Sequence, residues 1–341
     1  MNLYKSLIFI LYLGIFLGSG FRTPAQSRDS ITLYGTLDTV QVIRQRIQHA
    51  NEANAGARVT HISPAILQAN KTRSLAELLT DHTSIYIKSL GTGALSTASF
   101  RGTSASQTRV NWNGINITPP LSGTFDFSQI PVFFTDNINL YYGSSHVKNG
   151  TGAIGGSVNL FTDTDWNRGV NGRVLAEYGS YNTYTVGGQA NISGNKSASK
   201  TRLYYQHSDN DYTYLNKVLT NIPFREKRQD AAYSQFGIMQ EGYFRVSPYT
   251  RLTAVAWYQK NHRNLPQPLG VVNRSQEDQE ENNFRGYAGL DFSRGIHELH
   301  VKAAWLYFCQ TYDIRYDGGL FDPKGNKNRS NTAQVVADYT Y

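Results

Sequence analysis

The sequence predicts an α+β domain followed by the antiparallel strands of a transmembrane β-barrel. Three observations support this fold class: an apolar leader at the N-terminus, a mixture of short helices and strands up to residue 165, and a period-two pattern from residue 166 onward. The 341 residues include 23 Tyr and only 17% charged residues, a composition that favours strands. The lone Cys309 excludes an internal disulfide framework.

The N-terminal leader is typical of a secretory signal peptide, which we predict over residues 1–25. Lys5 precedes an apolar run from Leu7 to Leu17, and small residues follow. The run is shorter than the ~20 residues that a membrane-spanning helix needs, although an uncleaved anchor is the alternative. No later segment is apolar enough for a spanning helix, so a membrane-embedded mature protein would have to cross as a β-barrel.

Capping and turn signals place the elements of the α+β domain, which we predict over residues 57–165. Ser63-Pro64 supplies an N-cap and an N1 proline for a first helix. A capping box opens a second helix over Leu75–Leu79, and Asn113-Gly114 between apolar flanks predicts a hairpin turn. Short extended segments are expected at residues 59–62, 85–87, 100–101 and 108–112.

About eight strands are expected over residues 166–341, and their connections alternate between tight turns and long polar loops. Outer-membrane barrels have this alternation, which favours a barrel over a soluble β-sandwich. Outer-membrane barrels that hold a separate domain in their lumen have about 22 strands, whereas an eight-stranded barrel is filled by its own side chains. Because a domain of about 100 residues precedes these strands, we expect a truncated fragment rather than a natural small barrel. The strands are predicted at residues 169–178, 182–193, 199–208, 231–246, 250–260, 283–293, 296–312 and 332–341.

Two motifs resemble catalytic or cofactor sites but lack the required context. Gly150–Gly155 has the spacing of a dinucleotide-binding loop, yet the following residues continue as a strand instead of the helix that would hold a pyrophosphate. His297 and His300 lie three residues apart, which on a strand places the imidazoles on opposite faces. We therefore expect no enzyme activity and no bound organic cofactor.

The charged residues give two weaker indications. Asp209 and Asp211 follow the third strand and offer oxygen ligands for Ca²⁺, although a solvated loop is the commoner meaning of such a pair. The formal net charge of +8 is scattered along the chain without a basic stripe. We therefore expect no binding to nucleic acid.

Several motifs of the α+β domain together resemble the plug domain of TonB-dependent outer-membrane receptors. They are Ser99–Ser104, Val110–Ile115, Tyr142-Gly143 and Gly152–Leu160. Upstream, an extended segment resembles the TonB box of the family; it consists of Asp38, Thr39, Val40, Gln41, Val42 and Ile43. The Asp-Thr start of that box and the string Arg101–Ser106 are closest to the cobalamin receptor branch.

The resemblance implies an organisation and a function. Residues 26–56 would hold the TonB box and a linker, residues 57–165 the plug domain, and residues 166–341 the N-terminal part of the barrel. Such a receptor lies in the outer membrane of a Gram-negative bacterium, contacts its lipid, and imports a scarce nutrient complex with energy from TonB and its inner-membrane complex. The alternatives are a ferric siderophore or haem receptor, a non-transporting binding protein or adhesin, and a passive porin.

The resemblance also assigns residues. Its structural motif maps onto Arg101, Gly102, Asn113, Gly114, Gly143, Gly155 and Gly156, where Asn113 replaces the usual aspartate and Arg101 could be a buried, paired cation. Two plug loops would meet substrate through Thr92, Leu95, Ser96, Leu121, Ser122 and Phe125. These loops contain no Lys or Arg over residues 91–100 and 118–127. A neutral, partly apolar ligand such as a corrinoid is therefore expected rather than an anionic chelate.

Overall fold

The computed structural model describes residues 58–143, 152–218, 223–269, 275–316 and 324–341. The predicted signal peptide and TonB box lie outside these residues.

The helices are α1 (Pro64–Ala69) and α2 (Leu75–His82). The strands are β1 (Arg58–His61), β2 (Tyr86–Ser89), β3 (Ser96–Ser99), β4 (Thr108–Trp112), β5 (Ile115–Asn116), β6 (Asn137–Tyr142), β7 (Gly156–Phe161), β8 (Gly169–Gly179), β9 (Thr183–Ser193), β10 (Ser197–Ser208), β11 (Thr213–Asn216), β12 (Phe224–Lys227), β13 (Tyr233–Ser247), β14 (Thr250–Asn264), β15 (Ser275–Arg294), β16 (His297–Tyr316) and β17 (Lys324–Thr340).

Both predicted helix caps are present. The Ser63 hydroxyl accepts the amide hydrogen of Ile66 at the start of α1. In α2, Ser74 and Glu77 form a reciprocal capping box, which satisfies two amide donors that a helix start leaves unpaired. Helix α2 runs to His82, three residues beyond the predicted end. Among the described residues, no helix is long and apolar enough to cross a membrane.

A small mixed sheet organises the α+β domain. Its strand order is β1-β6-β7-β4-β5, with β4 and β7 parallel and the other pairs antiparallel. The predicted turn between β4 and β5 is confirmed, since Asn113 and Gly114 have φ of 51° and 86°, the left-handed values that such hairpins need. Residues 156–161 form a strand, as expected for a chain without a nucleotide loop.

One predicted strand is a turn. The extended segment expected at residues 100–101 is absent because β3 ends at Ser99. Arg101 and Gly102 instead have positive φ of 49° and 78° and carry the chain into a short 3-10 helix over Ala105–Gln107.

A large antiparallel sheet of eight strands forms the rest of the described chain, in the order β17-β16-β15-β14-β13-β10-β9-β8. The connections β9–β10, β13–β14 and β15–β16 are tight and share one side, which we call the tight-turn edge. The opposite side carries the longer connections after β10, β14 and β16 and is called the long-loop edge. This confirms the predicted alternation of turn lengths, with one exception that is also expected from the sequence: the short link between β8 and β9, residues 180–182, lies at the long-loop edge.

The strands reach further toward the long-loop edge than predicted. Residues 261–282 were expected as a loop, but β14 continues to Asn264 and β15 begins at Ser275. A separate hairpin, β11–β12, lies inside the segment 209–230 that was expected to be loop. In the extensions of β14 and β15, residues 261–264 and 275–282, both faces are polar, so the alternation that marks a strand in the sequence disappears while backbone pairing continues.

The two faces of the large sheet have opposite character. The face toward the α+β domain buries charged and polar side chains, among them Lys200, Arg202, Glu241, Gln259 and Arg285. The other face exposes apolar side chains, among them Leu203, Ile238, Phe244, Trp305 and Val335. A soluble sheet would bury its apolar face, whereas a membrane barrel turns that face to lipid and its polar face inward.

Aromatic rings join the α+β domain to the large sheet. Trp112 of β4 makes edge contacts with Trp257 and Tyr287, with ring centroids 5.4 and 5.3 Å apart. Phe134 lies 5.3 Å from Trp257, and Phe133 lies 5.7 Å from Tyr204. These buried rings continue the core of the α+β domain onto the sheet.

We expect Gly156→Ala to destabilise the α+β domain. A Cβ at this position would lie 2.5 Å from the carbonyl oxygen of Tyr141 and 2.7 Å from the Phe100 ring. The carbonyl belongs to the adjoining strand and cannot move without breaking the pair β6–β7, so a cost of about 1–3 kcal/mol is expected. The measurement is the thermal unfolding midpoint of the purified receptor.

Gly188→Ala is the matched control, since a Cβ added there meets no described atom within 4 Å. Equal midpoints for the two variants would contradict the close approach at Gly156.

Candidate functional site

The first candidate loop, residues 89–96 between β2 and β3, lies at the long-loop edge. Asn210, just beyond the end of β10, donates from Nδ2 to the Thr92 carbonyl at 3.0 Å. Gly93 lies against the ring of Tyr233 at the start of β13, where a Cβ would overlap the ring. The large sheet therefore fixes this loop at the edge where its long connections gather.

The second candidate loop, residues 117–126, is tied to the first through Asp126. Oδ1 of Asp126 accepts the backbone amides of Ser96 at 3.0 Å and Ser128 at 3.1 Å. Its Oδ2 pairs with Arg263 of β14 at 2.7 Å. One carboxylate thus holds both loops to the sheet, and no local sequence pattern predicts this role for Asp126.

Four of the six predicted substrate residues are exposed on these loops. Thr92 and Leu95 lie on the first loop, and Leu121 and Ser122 lie on the second. They are accessible to a ligand at the long-loop edge, and their contact with substrate stays a prediction.

The other two predicted substrate residues are buried. Phe125 is 4% exposed and packs edge-on against Phe127, with ring centroids 5.1 Å apart, so its assignment as a substrate contact is corrected to a core role. Ser96 is 2% exposed, and its hydroxyl lies within hydrogen-bond distance of the Ser89 hydroxyl at 3.0 Å and of the Ala94 carbonyl at 3.2 Å. Apolar burial and internal hydrogen bonding turn both side chains away from the surface.

Two cavities lie between the candidate loops and the large sheet. The larger, about 350 Å³, is bounded by α2, the first loop and the sheet residues Gln206, Tyr233 and Gln235. The smaller, about 270 Å³, lies between the second loop and strands β15–β17. Pockets of this size between elements can take part of a small molecule.

Side-chain amides of the large sheet hold the α+β domain beneath the loops. Gln259 donates to the carbonyl of Gln129, and Asn261 donates to its Oε1 at 3.0 Å. Gln235 donates to the Ser128 carbonyl at 2.8 Å. These contacts satisfy backbone and side-chain groups that the interface removes from water.

A cluster of charges forms a further tie closer to the tight-turn edge. Asp136 of the α+β domain pairs with Lys200 at 2.9 Å and with Arg202, both on β10. Arg202 is fully buried and lies 3.7 Å from the buried Glu241. The sequence signal was present, since Lys200 and Arg202 occupy alternate positions of one strand and therefore share a face, but it does not reveal their partner.

At this cluster, burial and neighbouring charges shift the pKa values of Asp136 and Lys71 in opposite directions. Burial alone would raise the pKa of Asp136, but Arg202 and Lys200 outweigh it and hold that pKa well below its usual range. Burial lowers the pKa of Lys71 to about 8, and Asp136 opposes that shift. Nζ of Lys71 donates to the Thr135 carbonyl at 2.5 Å. Asp136 is therefore ionised at neutral pH, as its cationic partners require.

Two residues of the predicted structural motif, Arg101 and Asn113, lie in different environments. Arg101 is exposed, so the expectation of a buried, paired cation is wrong, because the residue lies in the turn after β3. Asn113 is buried, and its Nδ2 donates to the Tyr287 hydroxyl at 3.1 Å. Lys302 of β16 donates to the Asn113 carbonyl at 2.6 Å. The neutral Asn113 thus ties the turn to the sheet through hydrogen bonds.

The glycines of the same motif lie in the structural framework. Gly114 completes the β4–β5 turn, Gly143 follows β6, and Gly155 and Gly156 are buried at the start of β7. Gly102 lies in the turn after Arg101.

The two predicted carboxylates of the Ca²⁺ site have separate side-chain partners. Asp209 lies 3.0 Å from His207, and Asp211 lies 2.7 Å from Lys227. Within the described residues, no group of three or more His, Cys, Asp or Glu side chains is placed to hold a metal ion. Binding of Ca²⁺ at this loop stays a prediction.

The His297/His300 pair also separates. His297 contacts the Tyr339 hydroxyl at 2.7 Å, whereas His300 contacts Asp291 at 2.6 Å. The two imidazoles lie on opposite sides of β16, as expected for residues three apart on a strand.

Residues 51–157 match the family model described as the TonB-dependent Receptor Plug Domain. The chain carries a plug domain of this family. The α+β domain, called the plug domain from here on, ends close to where this match ends, and the large sheet that follows corresponds to part of a barrel wall. The resemblance found in the motifs is confirmed.

Curated relatives match the same region. The chain is 32% identical over 135 residues to the vitamin B12 transporter BtuB of Photobacterium profundum, covering 40% of this chain and 22% of that protein. It is also 32% identical over 126 residues to BtuB of Vibrio cholerae, covering 37% and 20%. The chain therefore spans about a fifth of the length of these relatives.

Solved structures share the fold over a longer stretch. The siderophore receptor PiuA of Acinetobacter baumannii has a TM-score of 0.58 at 18% identity, covering 75% of this chain and 37% of that one. The ferric-catecholate import receptor Fiu of E. coli K12 has a TM-score of 0.60 at 13% identity, covering 84% and 45%. At such identities the likeness concerns the fold alone.

We expect Asp136→Asn to weaken docking of the plug domain on the large sheet. The change removes the plug-domain carboxylate that Lys200 and Arg202 share, and removing one partner of a buried ion pair costs about 3 kcal/mol or more. The measurement is the urea concentration at which the plug domain of the purified receptor becomes sensitive to protease.

Asp209→Asn is the matched control, because it removes a carboxylate whose side chain is 47% exposed, where an ion pair contributes little. Docking that survives equally in both variants would show that the Asp136 cluster is not a tie.

Proposed function

We propose that this chain forms part of a TonB-coupled outer-membrane receptor that imports a scarce nutrient complex. The observation that carries the proposal is the position of the plug domain, which covers the polar face of a sheet whose other face is apolar. That arrangement suits a barrel in lipid with a plug in its lumen. Export through a signal peptide over residues 1–25 belongs to the same proposal.

The mechanism follows from the contacts at the long-loop edge. Substrate would bind on the exposed parts of residues 89–96 and 117–126, which Asp126 links to each other and to Arg263. A ligand that binds one arrangement of these loops more tightly shifts the plug domain toward it. TonB would pair with Asp38–Ile43 as an added strand and pull. No covalent step is required of the chain.

Moving the plug domain away from the large sheet costs little free energy where the two are joined by hydrogen bonds. The amide contacts of Gln235, Gln259 and Asn261 with the plug domain can be exchanged for contacts with water. Since the net contribution of a hydrogen bond is only about 1 kcal/mol, a pull applied from one side can separate these ties in turn.

Within this function we favour a corrinoid as the substrate. Curated relatives with 32% identity in the plug region are named vitamin B12 transporters. The exposed loop residues Thr92, Leu95, Leu121 and Ser122 carry hydroxyl and apolar groups and no cation, which suits a large neutral ligand. A ferric siderophore or haem receptor is the alternative, and solved structures that share the fold include a siderophore receptor and a ferric-catecholate receptor.

Two rival functions do not use TonB. A binding protein or adhesin would not need Asp38–Ile43 to engage TonB. A passive porin needs an open lumen, whereas the plug domain fills the space beside the large sheet with a continuous core. The porin is therefore the weaker rival.

We expect Val40→Pro to abolish uptake by the receptor while leaving ligand binding unchanged. Proline removes an amide donor from the strand that would pair with TonB, whereas the ligand-binding loops are remote in sequence. Uptake and binding of labelled ligand by whole cells are the measurements. Val40→Ala, which keeps the amide, is the control and should transport normally. Equal uptake by Val40→Pro and wild type would refute the coupling.

We expect calorimetric titration of the purified receptor to show binding of cyanocobalamin and much weaker binding of ferric siderophores. The reason is that the described plug loops lack the guanidinium and ammonium groups that hold an anionic chelate. Tight binding of a ferric chelate together with no binding of cyanocobalamin would refute the substrate assignment and leave the transport function intact.

A further inference from the structure

Glu241 of β13 is a buried carboxylate of the large sheet to which the proposed function assigns no role. Its side chain has no exposed surface. The Tyr243 hydroxyl donates to Oε2 of Glu241 at 3.0 Å, whereas Oε1 has no hydrogen-bond partner among the described residues. A buried acceptor without a donor is costly in free energy, so the presence of this carboxylate needs a physical reason.

Arg202 of β10, which lies beside Glu241, has an unpaired donor. Its Nε is buried and has no hydrogen-bond partner within the described part of the chain. Its Nη2 lies 3.7 Å from Oε1 of Glu241, which is too far for a hydrogen bond, and a movement of about 1 Å would form one. The two side chains therefore hold an unused donor and an unused acceptor next to each other.

The pair stays open because Asp136 of the plug domain competes for the cations of the large sheet. Nη2 of Arg202 contacts Oδ2 of Asp136. Lys200 lies directly opposite Glu241 in the β10–β13 pair, yet its ammonium also contacts Asp136, at 2.9 Å. Both cations thus turn from a carboxylate of their own sheet to one of the plug domain.

Moving the plug domain away would divide the charges of this cluster. The plug domain takes Asp136 and Lys71, and the large sheet keeps Lys200, Arg202 and Glu241. Early in the separation the gap is too narrow for the water that solvates a guanidinium, so a cation without a carboxylate would oppose the movement. Glu241 is a carboxylate of the sheet that faces both of the cations left behind.

We propose that Glu241 is the reserve partner of Arg202 and receives its guanidinium when Asp136 withdraws with the plug domain. The inference rests on the proposed function, because it concerns the displacement of the plug domain during import. The guanidinium turns from Asp136 to Oε1 of Glu241, and the unpaired acceptor gains a donor in the displaced state. Glu241 is thus a positioning residue that acts through Arg202.

The direct test is the structure of the purified full receptor carrying Asp136→Asn, compared with wild type. The neutral amide cannot form an ion pair with Arg202, so the guanidinium should close on Glu241. The shortest N–O distance between the two side chains should fall from 3.7 Å to about 2.8 Å. A guanidinium that keeps its wild-type distance from Glu241 would overturn the proposal.

Glu241→Gln distinguishes a reserve partner from a structural one by the sign of its effect. A reserve partner stabilises the displaced plug domain, so its loss should raise the urea concentration at which the plug domain becomes protease-sensitive, by about 0.5–1 M. A residue that supports the docked state would lower that concentration when replaced. A lower or unchanged concentration would overturn the proposal. If the variant does not fold, the Asp136→Asn structure decides.

Glu281→Gln is the matched control. Glu281 is also a buried carboxylate of the large sheet, but its Oε1 accepts from Gln279 and Gln310 of the same sheet. This variant should leave the urea concentration unchanged, and an equal rise would show that the effect belongs to buried carboxylates in general. Glu241→Asp keeps the charge at a shorter reach and should reverse part of the rise.

Uptake kinetics connect the exchange of partners to import. With Glu241→Gln, the maximal uptake rate should fall about tenfold, while the ligand concentration at half-maximal uptake stays the same, since the cluster lies closer to the tight-turn edge than the candidate loops do. An unchanged maximal rate would refute the role in import. If wild type shows no TonB-dependent uptake, the proposed function fails, whereas the Asp136→Asn structure still decides whether Arg202 exchanges its partner.

Discussion

The buried guanidinium of Arg202 constrains the whole described structure. A cation with no exposed surface needs a carboxylate in contact. Glu241 on the same sheet approaches to 3.7 Å, and the closer pairing comes from Asp136 of the plug domain. Arg202 is therefore compensated both by a carboxylate of its own sheet and, at shorter distance, by one of the plug domain. Plug domain and sheet are electrostatically complementary, and the depressed pKa of Asp136 keeps that pairing intact at neutral pH.

Two kinds of contact share the interface and have different consequences. Around Trp112 and Trp257, aromatic burial continues the plug core onto the sheet, and separation there exposes apolar area to water. Along Gln235, Gln259 and Asn261, the contacts are hydrogen bonds that water can replace. The aromatic contacts keep the plug domain in place, while the hydrogen-bonded part of the interface can open at a modest cost in free energy. The proposed import of a substrate requires such an opening.

Local chemistry was predictable from the sequence, and chemistry between distant residues was not. The capping box of Ser74 and the Asn113-Gly114 turn involve neighbours in sequence, so their residue types define them. Asp136 and Arg202 lie 66 positions apart, and either could have been a solvated charge. Phe125 was misjudged because an aromatic residue in a loop can fold beneath it. The polar ends of the strands near residue 275 were missed because both of their faces are hydrophilic.

Whether a polar side chain can donate a hydrogen bond to a ligand depends on whether its hydrogen already bonds to another group of the protein. The lining of the larger cavity contains serine, threonine and glutamine, each of which can donate or accept, so its composition favours no ligand charge. Ser96, Ser128 and Gln235 all donate to groups of the plug domain. Which hydrogen bond each of these side chains makes is a property of the folded chain, because sequence order does not specify it.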